Sequence, residues 1–139
     1  MLVEEIMSSP VITVSPHTPL SEVISVLLEH RIGSSIVTAT DELGIVTRSD
    51  ILRAAYHLDA DLDTILVADA MSTPIITVEP QISVESALRK MSDHNIKKLP
   101  ILDGLELVGI VTLTDIAQHH PRQVRDISQT LDRKDDWTD

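Results

Sequence analysis

The sequence predicts an α/β (α+β) fold: two strand–helix–strand–strand–helix units packed about a pseudo-twofold axis, with paired clefts between them. Two self-matches carry this expectation. Residues 7–16, Met-Ser-Ser-Pro-Val-Ile-Thr-Val-Ser-Pro, return as residues 71–80, Met-Ser-Thr-Pro-Ile-Ile-Thr-Val-Glu-Pro, with seven of ten positions identical. Downstream, Gly44-Ile45-Val46-Thr47-Arg48-Ser49-Asp50 matches Gly109-Ile110-Val111-Thr112-Leu113-Thr114-Asp115. The offset is 64 residues for the first pair and 65 for the second, so one residue is inserted between the motifs. Internal repetition at a fixed period signals stacked copies of one supersecondary unit, and two copies are too few for a solenoid.

Each element has its own signal. Val11–Val14 is a β-rich run closed by prolines at 10 and 16, hence a short strand. Thr18-Pro19 opens a helix with a hydroxyl cap and a proline at the first helical position. Leu20, Val23, Ile24, Leu27 and Leu28 then recur at helical spacing, and Gly33 can end the helix. Ser35–Thr38 and Leu43–Thr47 read as strands around a tight turn at Asp41-Glu42. A second helix from Ser49 carries Ile51, Leu52, Ala55 and Leu58. The second copy repeats the order. Ile75–Val78 is a strand, and a helix from Ser83 turns Val84, Ala87, Leu88 and Met91 inward. Leu99–Leu102 and Leu107–Thr112 are strands joined at Asp103-Gly104. A last helix starts near Thr114 and stops before Pro121, because the residue preceding a proline disfavours helix. Val124, Ile127 and Leu131 suggest a further helical turn or two, and the charged end, 132–139, reads as frayed. The expected organisation is a first repeat over 1–58, an Asp-rich linker over 59–68, a second repeat over 69–121 and a tail over 122–139.

Composition narrows the function. The apolar fraction of 42% is adequate for a core, yet there is no Phe and the only aromatics are Tyr56 and Trp137, so the interior rests on aliphatic residues. Base-stacking platforms are thereby excluded. The net charge of −11 repels nucleic acid and anionic membranes. With no cysteine there is no disulfide, zinc finger or thiol catalysis. The chain shows neither a signal peptide nor an apolar run of membrane-spanning length, so a cytoplasmic location is expected. An Asp-over-Glu and Arg-over-Lys bias would suit a high-salt cytoplasm, and equally an ordinary acidic domain.

The chemistry-bearing positions are Thr47-x-x-Asp50 and Thr112-x-x-Asp115. Each Thr closes a strand, and each Asp lies in the first turn of the next helix. Free amides and the positive end of the helix dipole collect there and favour an anion. A carboxylate at that place can accept from both vicinal hydroxyls of a ribose, and the Thr hydroxyl can donate to a phosphate or ribose oxygen. The same pattern is also a helix cap that needs no ligand. Lys97 and Lys98 are half of the chain's lysines, set side by side before a strand. Their equivalents in the first copy, Gly33 and Ser34, carry no charge. His119-His120 is a weak metal signal, since adjacent helical residues diverge by about 100°. His30 and His94 are equivalent last-turn residues that suit the helix dipole.

The repeated Met-x-x-Pro opening, Leu-Pro-Ile-Leu-Asp at 99–103 and the two Gly-Ile-Val-Thr-x-x-Asp segments together resemble the cystathionine β-synthase (CBS) domain, here as a tandem pair over roughly residues 4–118. The resemblance implies an α/β sandwich per repeat, a module made of two repeats and a homodimer. It implies that Asp50 and Asp115 are ribose ligands of adenosine nucleotides, assisted by Thr47 and Ser49 in one cleft and by Thr112 and Thr114 in the other. It implies that Lys97 and Lys98 meet phosphates, favouring the Asp115 cleft, with Ser34 and Gly33 at the corresponding place in the first copy. Pro10, Ile12, Ile32 and Gly33 would face the Asp115 cleft, and Pro74, Ile76, Ile96 and Lys97 the Asp50 cleft, with Ile12 and Ile76 holding the base.

No nucleophile–base–acid set and no phosphate-binding glycine loop is present, so the expected protein is not an enzyme. It is expected to be a regulatory module sensing an adenosine-type small molecule (AMP, ADP, ATP, NAD or S-adenosylmethionine), needing neither a metal nor a catalytic cofactor and signalling to an effector protein in trans. The competing expectation is a CBS pair with degenerate clefts that serves assembly alone.

Overall fold

The computed structural model describes residues 1–38, 43–73 and 75–128, with side chains as far as Arg125. Its elements are β1 (Thr13–Val14), α1 (Leu20–His30), β2 (Ser34–Thr38), β3 (Leu43–Thr47), α2 (Arg48–Leu58), α3 (Val84–His94), β4 (Lys98–Asp103), β5 (Glu106–Thr112), α4 (Leu113–His119) and α5 (Pro121–Ser128). Single 3₁₀ turns lie at Val3–Glu5 and Val67–Asp69. The chain is a mixed α+β protein, as its repeats predict.

Two compact units are formed, and they do not follow the order of the repeats. Among the described residues one contains Ile12–Ile75, and the other joins Met1–Val11 to residues 76–128. The expected first repeat, 1–58, is thus distributed over both. In the Ile12–Ile75 unit, β1 pairs parallel to β2, and β2 pairs antiparallel to β3, with Ser34 opposite Thr47. Leu20, Val23 and Leu27 of α1 and Ile51 and Ala54 of α2 build its core with Val37 and Val46. The Asp-rich connection joins that core through Ile65 and Val67. In the other unit β4 and β5 form a two-stranded antiparallel sheet with Lys98 opposite Thr112. Val84, Ala87, Leu88 and Met91 of α3 pack with Leu99, Ile101, Val111 and Ile116, as their spacing predicts, and Val3 and Val124 complete the cluster.

The two repeated motifs meet across the repeats. The Ser8 amide donates to the Ile110 carbonyl at 2.9 Å and the Ile110 amide returns the bond to Ser8 at 3.1 Å. Ser72 and Ile45 exchange the same pair of bonds at 2.9 and 3.1 Å. Each Met-x-x-Pro opening therefore lies against the Gly-Ile-Val-Thr strand of the other copy. The glycines follow from this close approach. A Cβ at Gly109 would strike the Met7 sulfur and sit 3.1 Å from the Ser8 carbonyl, and one at Gly44 would sit 2.7 Å from Thr73 Cγ2.

Several boundaries differ from the sequence reading. Helix α1 starts at Leu20 with Pro19 as its cap and no side-chain cap from Thr18. The connection does the capping, because the Leu20 and Ser21 amides donate to the carbonyls of Ile65 and Leu62. Gly33 does not end α1; Arg31 does, at φ 55°, as Asn95 does for α3 at φ 54°. Ile75–Val78 is not a strand among the described residues: only Val78 bridges Ile101. Of the expected strand Val11–Val14, only Thr13–Val14 pairs. The apolar stripes of α1 and α2 are only partly buried: Leu28, Leu52 and Leu58 are exposed, and Ala54 is buried. Helix α5 begins at Pro121 itself, at the position where a missing N–H matters least. The turn at Asp41-Glu42, Pro74, Leu131 and the 132–139 tail lie outside the described residues, as does the Ile127 side chain.

Candidate functional site

The strand-to-helix junctions hold the candidate residues. At β5–α4 the Thr112 hydroxyl accepts from the Asp115 amide at 3.0 Å, and Asp115 Oδ2 accepts from the Thr112 amide at 3.0 Å. At β3–α2 the same reciprocal pair joins Thr47 and Asp50 at 3.1 and 2.9 Å. Both junctions are complete capping boxes, so the capping reading of Thr-x-x-Asp holds at each. A cap engages one carboxylate oxygen of each Asp, and the fate of the other separates the two copies. Asp50 Oδ1 accepts from Arg53 Nη2 at 2.9 Å, one turn along α2. The residue equivalent to Arg53 in α4 is Gln118, which has no charge to offer Asp115.

The expected basic residues lie at the strand end that adjoins the Thr112–Asp115 junction. Lys98 is the cross-strand neighbour of Thr112, and the Leu113 amide donates to the Lys97 carbonyl at 2.8 Å. In the other unit Ser34 pairs with Thr47, and the Arg48 amide donates to the Gly33 carbonyl at 3.1 Å. Ile96, Lys97, Lys98, Thr112, Thr114 and Asp115 thus share one unit, which also contains Pro10 and Ile76. Ile12, Ile32, Gly33, Ser34, Thr47, Ser49 and Asp50 share the other. Ile96 and Lys97, expected toward Asp50, therefore belong to the same unit as Asp115, while Ile32 and Gly33 belong with Asp50. Asp50 and Ser49 are buried, and the Ser49 hydroxyl has no partner among the described residues; Thr114 is exposed.

Arg48 and Arg53 were not singled out by the sequence reading. The first copy lacks charge at Gly33 and Ser34 but supplies it from α2. The signal was present as Asp50-x-x-Arg53 against Asp115-x-x-Gln118, a helical i,i+3 ion-pair spacing in one copy alone. His30 and His94 occupy last-turn positions, as expected. The described residues contain no group of three or more His, Asp or Glu side chains placed to hold a metal ion. Among them no helix is long and apolar enough to cross a membrane.

Comparison with known proteins accords with these repeats. The CBS domain family model matches residues 3–57 and again 67–121. The chain is 38% identical over 132 residues to an uncharacterised protein of Methanopyrus kandleri, covering 93% of this chain and 67% of that protein. It is 36% identical over 116 residues to the CBS domain-containing protein YhcV of Bacillus subtilis, covering 83% of this chain and 82% of that one. Among solved structures, it superposes with a TM-score of 0.77 and 28% identity on the CBS domain pair of protein MJ0100 in complex with 5′-methylthioadenosine and S-adenosyl-L-methionine, covering 88% of this chain and 98% of that one. The sequence repeat, the paired Thr-x-x-Asp junctions and these matches lead to one assignment: the chain belongs to the CBS domain family and carries two copies of the domain.

Proposed function

We propose that the chain is a regulatory module that binds an adenosine-type small molecule and passes its occupancy to an effector protein, without catalysing a reaction. Asp115 takes the ribose hydroxyls through the carboxylate oxygen that does not cap α4. Thr112 and Thr114 donate to ribose or phosphate oxygens. Lys97 and Lys98 meet a phosphate or other anionic group, and Pro10, Ile76 and Ile96 supply apolar contact to the base. The set in the other unit is Thr47, Ser49 and Asp50 with Ile12, Ile32, Gly33 and Ser34; the expectation for Pro74 stays with the proposal.

The observation that carries this reading is the difference between the two carboxylates. Asp50 has its second oxygen engaged by Arg53, whereas the residue at that spacing from Asp115 is a neutral Gln118, and Lys98, with Lys97 just before it, opens the adjoining strand. The Asp115 site is therefore the tighter one for an anionic nucleotide. The adenosine derivatives bound by the CBS pair of MJ0100 support the ligand class. The Asp50–Arg53 pair favours a second reading for the first copy alone, a structural cap with no ligand.

Calorimetry against AMP, ADP, ATP, NAD, S-adenosylmethionine and adenosine tests the proposal, together with mass spectrometry of whatever co-purifies. Saturable binding of at least one, weakened by Asp115→Ala, is expected. No binding by any of them, and no adenine compound released on denaturation, would leave an assembly module.

A further inference from the structure

Asp50 and Arg53 form an ion pair that the second copy does not repeat, and it lies where the proposed ligand would put its sugar. The carboxylate is buried, with 8% of the residue exposed. Its Oδ2 accepts from the Thr47 amide at 2.9 Å, and its Oδ1 accepts from Arg53 Nη2 at 2.9 Å. Both oxygens therefore hold a donor before any ribose arrives. The Arg53 side chain is 58% exposed, so its guanidinium fork can turn further donors toward a ligand. A second observation marks the same helix start. The hydroxyl of Ser49, a residue only 3% exposed, has no partner among the described residues. A buried hydroxyl left unpaired in the first turn of an eleven-residue helix is hydrogen bonding that the fold alone does not complete.

A free ribose diol brings hydroxyl donors to a carboxylate. At Asp50 these compete with a charged donor on the same oxygen. A ribose that carries a phosphate on its 2′- or 3′-hydroxyl brings an anion instead. Whatever stands at Asp50 Oδ1 stands beside Arg53, because Nη2 bonds that very oxygen. A guanidinium can hold a carboxylate and a phosphate together, and the positive end of α2 adds to the attraction. The remaining ribose hydroxyl still donates to Asp50. The same phosphate set against Asp115 meets a carboxylate with a neutral Gln118 at the equivalent spacing, and like charges repel. The lysines of that unit lie on the strand side, next to Thr112. Dinucleotide-binding folds use the same exchange: a carboxylate takes the free ribose hydroxyls, and an arginine admits the 2′-phosphate.

We infer that the two copies sort adenosine ligands by their ribose. The Asp115 site takes a free diol. The Asp50 site takes an adenosine nucleotide phosphorylated on its 2′- or 3′-hydroxyl, and Arg53 is the residue that decides. This rests on the adenosine reading of the paired junctions and says which member of that class each one accepts.

Calorimetry with adenosine 2′,5′-bisphosphate, adenosine 3′,5′-bisphosphate, AMP and ADP tests the sorting, ADP being the control for charge carried on the 5′ side. In Asp115→Ala protein, which keeps only the Asp50 site, at least one bisphosphate should bind at least about 10-fold tighter than AMP or ADP. Whichever it is names the ribose position. Adding Arg53→Gln should abolish that preference. Equal binding of all four compounds, or a preference that survives Arg53→Gln, overturns the inference. So does Asp115→Ala protein that binds neither bisphosphate while the wild type binds AMP; there the adenosine reading stands and the sorting falls. If no adenosine compound binds the wild type, both fall. Should Asp115→Ala fail to fold, wild-type protein saturated with AMP is titrated instead. A further binding event with a bisphosphate, which ADP does not give, sustains the inference, and its absence overturns it.

Discussion

Asp115 is asked to do two things, and one pair of substitutions separates them. Its Oδ2 caps α4 by accepting from the Thr112 amide at 3.0 Å, while the proposed ligand uses the other oxygen. Asp115→Ala removes the carboxylate half of the capping box and leaves the Thr112 hydroxyl accepting from the residue-115 amide; loss of the one hydrogen bond costs about 1 kcal/mol and lowers Tm by about 3–5 °C in a domain of this size. Ser83→Ala is the control. Ser83 caps α3 in the same unit by accepting from the Ser86 amide at 3.0 Å, away from the candidate site, so its loss also costs about 1 kcal/mol. Ligand at about 100 times its dissociation constant adds about 2.7 kcal/mol to stability. Loss of hydrogen bonds to a charged acceptor removes about 2 kcal/mol of binding, a factor of about 30 in affinity. At the same ligand concentration, the ligand's contribution then falls to about 0.9 kcal/mol. Thermal unfolding with and without ligand reads both effects. The apo Tm drops alike in the two variants, but the ligand-induced rise collapses in Asp115→Ala alone. An undiminished rise in Asp115→Ala would make Asp115 a cap and nothing more.

Removing the Asp50 clamp with Arg53→Gln should create or strengthen a second binding event in calorimetry, while Asp50→Ala should leave the tighter event unchanged. The Arg53–Asp50 pair is more than half exposed on the arginine side, so its loss should alter stability by well under about 1 kcal/mol. Lys97→Ala/Lys98→Ala should weaken ATP or ADP more than adenosine; an equal loss for all three would detach those lysines from the phosphates. Gly109→Ala should destabilise by about 1–3 kcal/mol in chemical denaturation, because the new Cβ meets Met7 and the Ser8 carbonyl. Met7→Ala should recover part of that loss, since the sulfur is the nearest obstacle.

Periodicity made the α3 face legible: Val84, Ala87, Leu88 and Met91 are all buried, as their spacing requires. The same spacing in α1 and α2 includes Leu28 and Leu52, and the structure leaves them exposed. A period shows which residues share a face, and burial depends on what lies against that face. The Thr-x-x-Asp junctions were legible because a cap is local. The Arg53 clamp was passed over because the repeats were compared for what they share, and this residue is where they differ. The least legible feature was the partition into units. A self-match locates two copies, but which copy's opening lies on which strand is a long-range choice recorded only as small residues at Gly44 and Gly109.

That partition has a consequence opposite to what the linear repeats suggest. The chain's first residues precede the first repeat's helices, yet Val3 is fully buried in the core of the other unit with Val84, Met91 and Ile116. The Val3 amide donates to the Ile82 carbonyl at 3.0 Å, and the Val84 amide to the Met1 carbonyl at 2.9 Å. Deleting residues 1–8 removes this valine, worth about 1.5–3 kcal/mol of burial, and the paired bonds between Ser8 and Ile110. Hydrogen exchange should then show protection lost in α3, β4 and β5, which are distant in sequence. The strands β2 and β3, whose core draws on Ile65 and Val67, should keep theirs. Loss confined to α1, β2 and β3 would mean that each repeat folds on its own opening, and the exchange of openings seen at Ser8–Ile110 and Ser72–Ile45 would not govern stability.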